Sequence, residues 1–452
     1  MKVMKYIGFG FLLIASFGSC KKFLDKKPVQ LLHVPSKLQD LQAVLDNNTV
    51  NEGTPFFSEF VADNYYMTTS TWNGLNPDLR KNYTWDKDAL VTVENGSWNT
   101  PYGAIYHTNF VLDILKTISI SPAEQVDYNL IRGSALFFRA LLHHSLVQLY
   151  CRPYSATANT DLGLVVRTTS DIHEPVIRST VQQTYDQIIK DLKEAIELLP
   201  VTSVVNTRPN KAAAQGLLAR VYLSMRDYVN AGIQANNALT HNNTLMDFNG
   251  LTPVGNPSPS NPLTNPEILC LSLHTLSTVF GGNRAIVDSV LYRSYEANDL
   301  RKTVYYFTSA GSPFWKGSYY SISSNSIFDG IATDELFLIR AESNARAGNV
   351  SGAMNDLNTL LSKRYKTGTF TDLTATDAAD ALAQVLAERR KELAFRGLRW
   401  SDLRRFNLEG ANITLKRVIN NTEYTLPPND LRWVLLIPEV EISRSGIQQN
   451  PR

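Results

Sequence analysis

The side chains best suited to hold a ligand are aromatic and sit in polar stretches. Tyr65, Tyr66 and Trp72 occur in DNYYMTTSTWNG, Trp85 in NYTWDKD, and Trp315, Tyr319 and Tyr320 in FWKGSYYS. All lie among Asn, Ser, Thr and Gly, off any regular apolar stripe. A flat ring offers a stacking surface to the weakly polar C–H face of a sugar, and neighbouring amides or carboxylates bind hydroxyls in the ring plane. Trp72, Trp315, Tyr66, Trp85 and Tyr319 are therefore the expected stacking residues, with Asn73, Asp63 and Asn64 as hydrogen-bonding partners. The competing role for each ring is burial, pinning a long loop. Trp98, Tyr102 and Tyr106, together with Tyr185 and Tyr222, fall on helical spacing and are assigned to the core.

Other chemistries find little support. His143 and His144 are adjacent, so on a helix they point to different faces, and no third ligand at metal spacing accompanies them. They read as structural. There is no H-E-x-x-H, G-x-S-x-G or phosphate loop. A carboxylate pair for glycoside cleavage would converge only in space and is not legible here. No catalytic residue, metal or cofactor is expected. The densest charge cluster comprises Glu388, Arg389, Arg390, Glu392, Arg396, Arg399, Asp402, Arg404 and Arg405. It reads as a salt-bridged helix end that docks the C-terminal segment, in preference to an anion site. Cys151 and Cys270 leave one disulfide open and undecided.

These residues need elements to position them. The 452 residues are 43% hydrophobic and 19% charged with net charge +2, which excludes a dedicated nucleic-acid binder and a polytopic membrane protein. Helical periodicity runs through Trp98–Leu115. A second helix starts at the capping-box order Ser121-Pro122-Ala123-Glu124 and continues toward Pro153. A third runs from Val181 to Leu199 and stops at Pro200. A pair follows from Lys211 to Leu239 across Met225-Arg226-Asp227. Two more run from Asp334 to about Arg364, and another from about Ala378 to Phe395, with Gly397 as its C-terminal cap. In two of the pairs Ala219 and Ala231, and Ala341 and Ala353, stand equally far apart, with Gly348, Leu360, Tyr228 and Ala238 at further matching offsets. Small residues there let one helix approach the next, which is the tetratricopeptide arrangement. The remainder, about 50–97, 155–178, 242–332 and 408–452, is long, polar and irregular, as functional loops are. The expected fold is mainly α: a tetratricopeptide-like scaffold of helical pairs with a second, irregular, loop-rich lobe and few short strands.

The first twenty residues, MKVMKYIGFGFLLIASFGSC, combine Lys2 and Lys5 with an apolar run too short to span a bilayer and a small-residue ending at Cys20. They read as an export signal over 1–19 with lipid attached to Cys20, although Phe17 stands where a lipobox usually has Leu. The charged stretch 20–30 is then a tether, and 31–452 one folded domain. Losing Lys2 and Lys5 with the signal leaves 42 basic and 42 acidic residues, a formal charge of zero.

The signal with KKFLDKKP, then WNTPYGAIYHTNFVLDIL, RGSALFFRALLHHSLVQLYCRPYS, RPNKAAAQGLLARVYLSMRDYVNA, ANDLRK, DELFLIRAESNARAGN, ERRKELAFRGLRWSDLRRFN and LLIPEVEISRSGIQQNPR together resemble the SusD/RagB family of Bacteroidetes outer-membrane lipoproteins. Two departures are Arg396, where the family more often carries an acidic residue, and the ending Asn450-Pro451-Arg452 in place of Pro-Gly-Tyr. The resemblance implies a non-catalytic, cell-surface, lipid-anchored protein of the outer membrane. Such a protein captures oligosaccharide and loads it into a SusC-like TonB-dependent barrel. Peptide capture on the same fold, or a secreted tetratricopeptide interaction scaffold, are the alternatives; nucleic acid is not an expected partner. The resemblance also implies a helical scaffold over about 98–150, 180–240 and 333–396. The ligand lobe is then drawn from about 50–97, 242–332 and 408–452.

Overall fold

A computed structural model describes residues 35, 37–91, 96–251, 261–275, 280, 281, 283–317, 319 and 326–452. Cys20 and Tyr320 lie outside the described residues. The first described segment holds five short helices, α1 (Leu38–Leu45), α2 (Asn48–Asn51), α3 (Phe57–Phe60), α4 (Thr69–Asn73) and α5 (Pro77–Tyr83), with strand β1 (Tyr65–Tyr66) between α3 and α4. Much of this stretch reads as irregular in sequence. It turns helically because Asn47, Thr68 and Asn76 each accept a hydrogen bond from a first-turn N–H group.

Long helices follow: α6 (Asn99–Leu115), α7 (Gln125–Tyr150), α8 (Val181–Leu198), α9 (Lys211–Met225) and α10 (Tyr228–His241). Each packs on the next. Glu124 accepts hydrogen bonds from the backbone N–H and hydroxyl of Ser121 ahead of α7, at 2.8 and 2.7 Å, the capping box legible in sequence. Arg139 of α7 holds Asp191 of α8 through two hydrogen bonds of 2.8 and 2.7 Å, both side chains buried. The turn between α9 and α10 passes through Arg226 in a left-handed conformation, φ 64°.

The second lobe interrupts the helices. It contains β2 (Ile268–Cys270), β3 (Leu273–Thr275), β4 (Ile286–Val287), α11 (Ser289–Ser294), α12 (Arg301–Val304), β5 (Tyr306–Ser309), β6 (Ser312–Trp315), β7 (Ser326–Phe328) and β8 (Ile331–Ala332). The largest sheet has the antiparallel order β1-β4-β6-β5, so the early segment and the second lobe share one sheet. Two antiparallel pairs, β2 with β8 and β3 with β7, join this lobe to the next helix.

The scaffold resumes with α13 (Thr333–Arg346), α14 (Val350–Leu361), α15 (Ala378–Glu392) and α16 (Arg399–Leu408), followed by the hairpin β9 (Leu415–Ile419) and β10 (Thr422–Leu426) and by α17 (Glu439–Ser445). α10 packs on α13, so the two helical pairs stack. Ala219, Ala231, Ala341 and Ala353 are all fully buried, as their spacing requires. The expected helix to Phe395 ends instead at Glu392, because Phe395 and Gly397 both have positive φ, 57° and 68°, and α16 begins afresh beyond them.

The charge cluster of 388–405 is a salt-bridged network, as its sequence suggests, and most of it is buried, with Arg390 and Arg399 half-buried. Arg301 bonds Asp299, Glu388 and Glu392; Arg364 bonds Glu392 and Glu267; Arg405 bonds Glu342 and Asp402; and Arg396 bonds Asp334 at 2.6 Å. α15 and α16 thus dock both lobes through matched buried ions, which are costly to leave unpaired. Arg404 instead donates to the carbonyls of Gln148 and Cys151 at the C-terminus of α7, where the helix dipole favours a cation. Cys151 and Cys270 are both free and buried. His143 and His144 are buried too, and desolvation pulls both down to about 3, so they are neutral packing groups.

Candidate functional site

The segment from Asp63 to Asn73 carries five of the expected ligand residues, and its geometry is set by neighbours distant in sequence. β1 pairs with β4, Tyr65 opposite Val287 and Tyr66 opposite Ile286. Because side chains alternate along a strand, Tyr65 points into the core while Tyr66 stands out, 43% exposed. After Met67, the Thr68 cap turns the chain into α4, and Trp72 and Asn73 end that helix.

Trp72 is half-buried. Its indole N–H donates to the Arg80 carbonyl at 3.2 Å, and the Arg80 guanidinium lies 5.5 Å from the ring centroid. That fixes the ring while leaving part of it open to solvent. Asn73 is exposed and its amide bonds no described residue.

The start of this segment rests on a floor of ion pairs. Arg399 of α16 grips Asp63 with two hydrogen bonds of 2.7 and 2.9 Å, and Arg390 of α15 bridges Asp63 and Asp288 at 3.5 and 3.1 Å. Burial pushes the Asp63 carboxyl up, but the Arg399 guanidinium beside it outweighs this and holds it at about 2. Asn64 is buried and donates to Glu59 at 2.8 Å; its carbonyl receives the Asp288 N–H. Burial pushes Glu59 up to about 7, against the lowering effect of hydrogen bonds from Asn64 and the Gly397 N–H.

Three expected stacking residues are not available as surfaces. Trp315 is 4% exposed; it stacks on Phe395 with ring centroids 4.7 Å apart and planes 20° off parallel, with Tyr305 and Tyr306 against it. Trp85 is equally buried, donates its indole N–H to the Val61 carbonyl at 3.0 Å, and has the Arg417 guanidinium 4.4 Å from its ring. Tyr319 lies between Phe328 and the guanidinium of Arg396. The physical reason is common to all three. Short strands and irregular segments bury little aliphatic surface of their own, so large rings supply the core, packed on other rings at Trp315 and against arginines at Trp85 and Tyr319. In the opposite direction, Tyr106, assigned to the core from its spacing, is 44% exposed, and Tyr102 is half-buried.

Arg417 on β9 is a positioning residue without a signature in the sequence. Its guanidinium bonds the carbonyls of Phe60, Tyr83 and Ala62 and lies against the rings of Tyr65, Tyr83 and Trp85. It ties both ends of the 60–85 segment to the C-terminal hairpin. It faces inward with Leu415 and Ile419 at alternate positions of β9, and nothing local identifies its partners.

What this face can do chemically is bind. Tyr66 and Trp72 offer ring surface and Asn73 an uncommitted amide; the ion pairs on Asp63 anchor the start of the segment, β4 holds Tyr66 and Arg80 holds Trp72. Of the carboxylates at its base, Asp63 and Asp288 are bonded by guanidinium groups and Glu59 by the Asn64 amide and the Gly397 N–H.

Comparison with known proteins agrees with this architecture. Residues 22–223 match a family model described as SusD-like, "Starch-binding associating with outer membrane", and residues 333–451 match the SusD family model. The SusD-like protein P2 of Formosa agariphila is 24% identical over 340 residues; the match spans 62% of this chain and 66% of that protein. A Bacteroides vulgatus crystal structure named for sugar binding superposes with TM-score 0.74 at 23% identity, covering 93% of this chain and 99% of that one. A SusD superfamily protein of Bacteroides thetaiotaomicron gives TM-score 0.73 at 23% identity, covering 92% and 100%. These structures establish likeness of fold.

Proposed function

The chain belongs to the SusD/RagB family, and from that premise we propose that it captures oligosaccharide at the cell surface and delivers it to a SusC-like TonB-dependent transporter of the outer membrane, held there through lipid on Cys20. Family membership supports the general role: SusD-like proteins bind carbohydrate at the cell surface and are not enzymes. The observation that carries the reading for this chain is the exposed Tyr66, the half-open Trp72 and the uncommitted Asn73 within eight residues, in a segment whose start is anchored by ion pairs on Asp63.

Binding follows from that arrangement. One sugar face stacks on Trp72 or Tyr66 while Asn73 exchanges hydrogen bonds with ring hydroxyls in the plane. The ion pairs on Asp63, the pairing of Tyr66 with β4 and the hold of Arg80 on Trp72 fix the platform before ligand arrives, so little conformational entropy is lost on binding. The neutral charge expected for the processed chain suits uncharged saccharides.

Affinity gels containing amylopectin, laminarin, xylan, mannan or polygalacturonate, followed by calorimetry with oligosaccharides of the retarding polymer, test this. Tyr66→Ala and Trp72→Ala are each expected to weaken binding at least about tenfold, which is about 1.4 kcal/mol. Trp315→Ala is expected to lower stability while the folded fraction keeps its affinity. Unchanged affinity in both platform variants would overturn the placement, and retardation by none of the polymers would overturn the glycan reading.

A further inference from the structure

A second groove opens on the helical scaffold, sharing no lining residue with the face around Tyr66 and Trp72. It lies between the first turns of α6, the segment 165–176 and α17, and its volume of about 420 Å³ is that of a small-ligand pocket. We infer that this groove is a second saccharide site, with the half-buried Tyr102 as its ring surface, the buried Trp98 backing it, and Asn99, Glu441 and Arg444 as its polar rim. The inference rests on the glycan reading above.

The ring surface is prebuilt. Tyr102 donates its hydroxyl to the Val165 carbonyl at 3.1 Å; its ring lies 4.8 Å from Trp98, which in turn meets Tyr150 edge-on at 4.8 Å. The segment opposite is pinned along α6: Asn109 donates to the carbonyls of Arg167 and Thr169, both at 3.1 Å, and Asp113 accepts the Ser170 N–H at 2.7 Å. The wall from Val165 to Ser170 is therefore fixed on α6.

The rim is uncommitted. Asn99 makes no side-chain hydrogen bond to any described residue, and its Oδ1 is unpartnered. Arg444 is exposed and has no carboxylate within ion-pair distance among the described residues. Glu441 stands three positions before it on α17, so an acceptor and a donor lie side by side at one edge, the pairing that grips adjacent hydroxyls. α6 extends the platform beyond the groove. Asn99, Tyr102, Gly103 and Tyr106 share a helical face, a Cβ at Gly103 would meet nothing within 4 Å, and Tyr106 is 44% exposed. A chain of sugars leaving the groove would run over open backbone onto a second ring. Opposite charges on the rim favour a neutral saccharide over a polyanion.

The test uses the processed full chain and the same five polymers. A rim variant combines Asn99→Ala, Glu441→Ala and Arg444→Ala, none of which removes a side-chain hydrogen bond within the described residues, so its melting temperature should match the parent. With an oligosaccharide of the retarding polymer, calorimetry is expected to give two sites per chain, falling to one in the rim variant and to one in the Tyr66→Ala/Trp72→Ala variant. Binding lost in the rim variant alone also sustains the groove, and overturns the Tyr66 and Trp72 placement instead. One site per chain, unaffected by the rim variant, overturns the groove and leaves the first site standing. Failure of the unmodified chain to bind any polymer overturns both.

Discussion

Trp72 and Trp315 are the same residue type in equally polar sequence surroundings, yet one is half-open and the other is sealed against Phe395. What separates them is the company brought by the fold. Trp315 meets a residue 80 positions later at the left-handed corner before α16, whereas Trp72 lies at the edge of the core, held by Arg80 eight residues on. Glu59 shows the same dependence and gives a pH test. Its folded-state value of about 7 lies above the usual 4.5, so between those values the native chain holds a proton that the unfolded chain releases. Stability from this group is therefore full below about 4.5 and is lost as pH rises through about 7. Glu59→Gln cannot titrate, so urea unfolding at pH 5 and pH 8 should show a smaller fall in stability than in the parent, by up to about 3 kcal/mol at about 1.4 kcal/mol per pH unit. An identical fall in both proteins would count against the burial of an ionisable Glu59.

At the scale of elements, the alanine spacing that marks the helical pairs in sequence does what that spacing implies, with all four residues fully buried. Between the pairs the decisive residue is Gly232 on α10, where an added Cβ would lie 2.7 Å from the Cβ of Ser343 on α13. Gly232→Ala should cost about 1–3 kcal/mol by overpacking, more than the helix propensity of Ala returns, and Ser343→Gly in the same chain should restore part of the loss. Chemical denaturation of the two single variants and the double variant measures this coupling; simple additivity would show that the helices are not in contact there. The β9–β10 hairpin was equally local in origin: Asn420 and Asn421 both take positive φ, 52° and 61°, the geometry a two-residue hairpin loop demands. α16 was less legible, because its start depends on the two left-handed residues that end the run of α15, and the short helices of the first segment depend on side-chain caps within polar sequence.

For the whole molecule, the membrane assignment rests on the family and on residues 1–20, and no helix among the described residues is long and apolar enough to cross a membrane. Cys20→Ser should therefore move the protein from the membrane fraction to the soluble fraction of the native host and abolish labelling by radioactive palmitate. A variant that stays with the membrane would remove the lipid anchor from the proposal. The sequence by itself determined the helical scaffold, the paired repeats and the family, because caps, apolar periodicity and small-residue spacing act within a few turns of chain. Which aromatic rings face solvent was decided only by the tertiary structure. Arg417 closes over Trp85, Phe395 over Trp315, and α15 and α16 brace Asp63, contacts whose partners lie from 80 to more than 330 residues apart and leave no local pattern. The same long-range packing leaves Tyr106 exposed although its spacing on α6 suggests core, since a helix face is buried only where another element covers it.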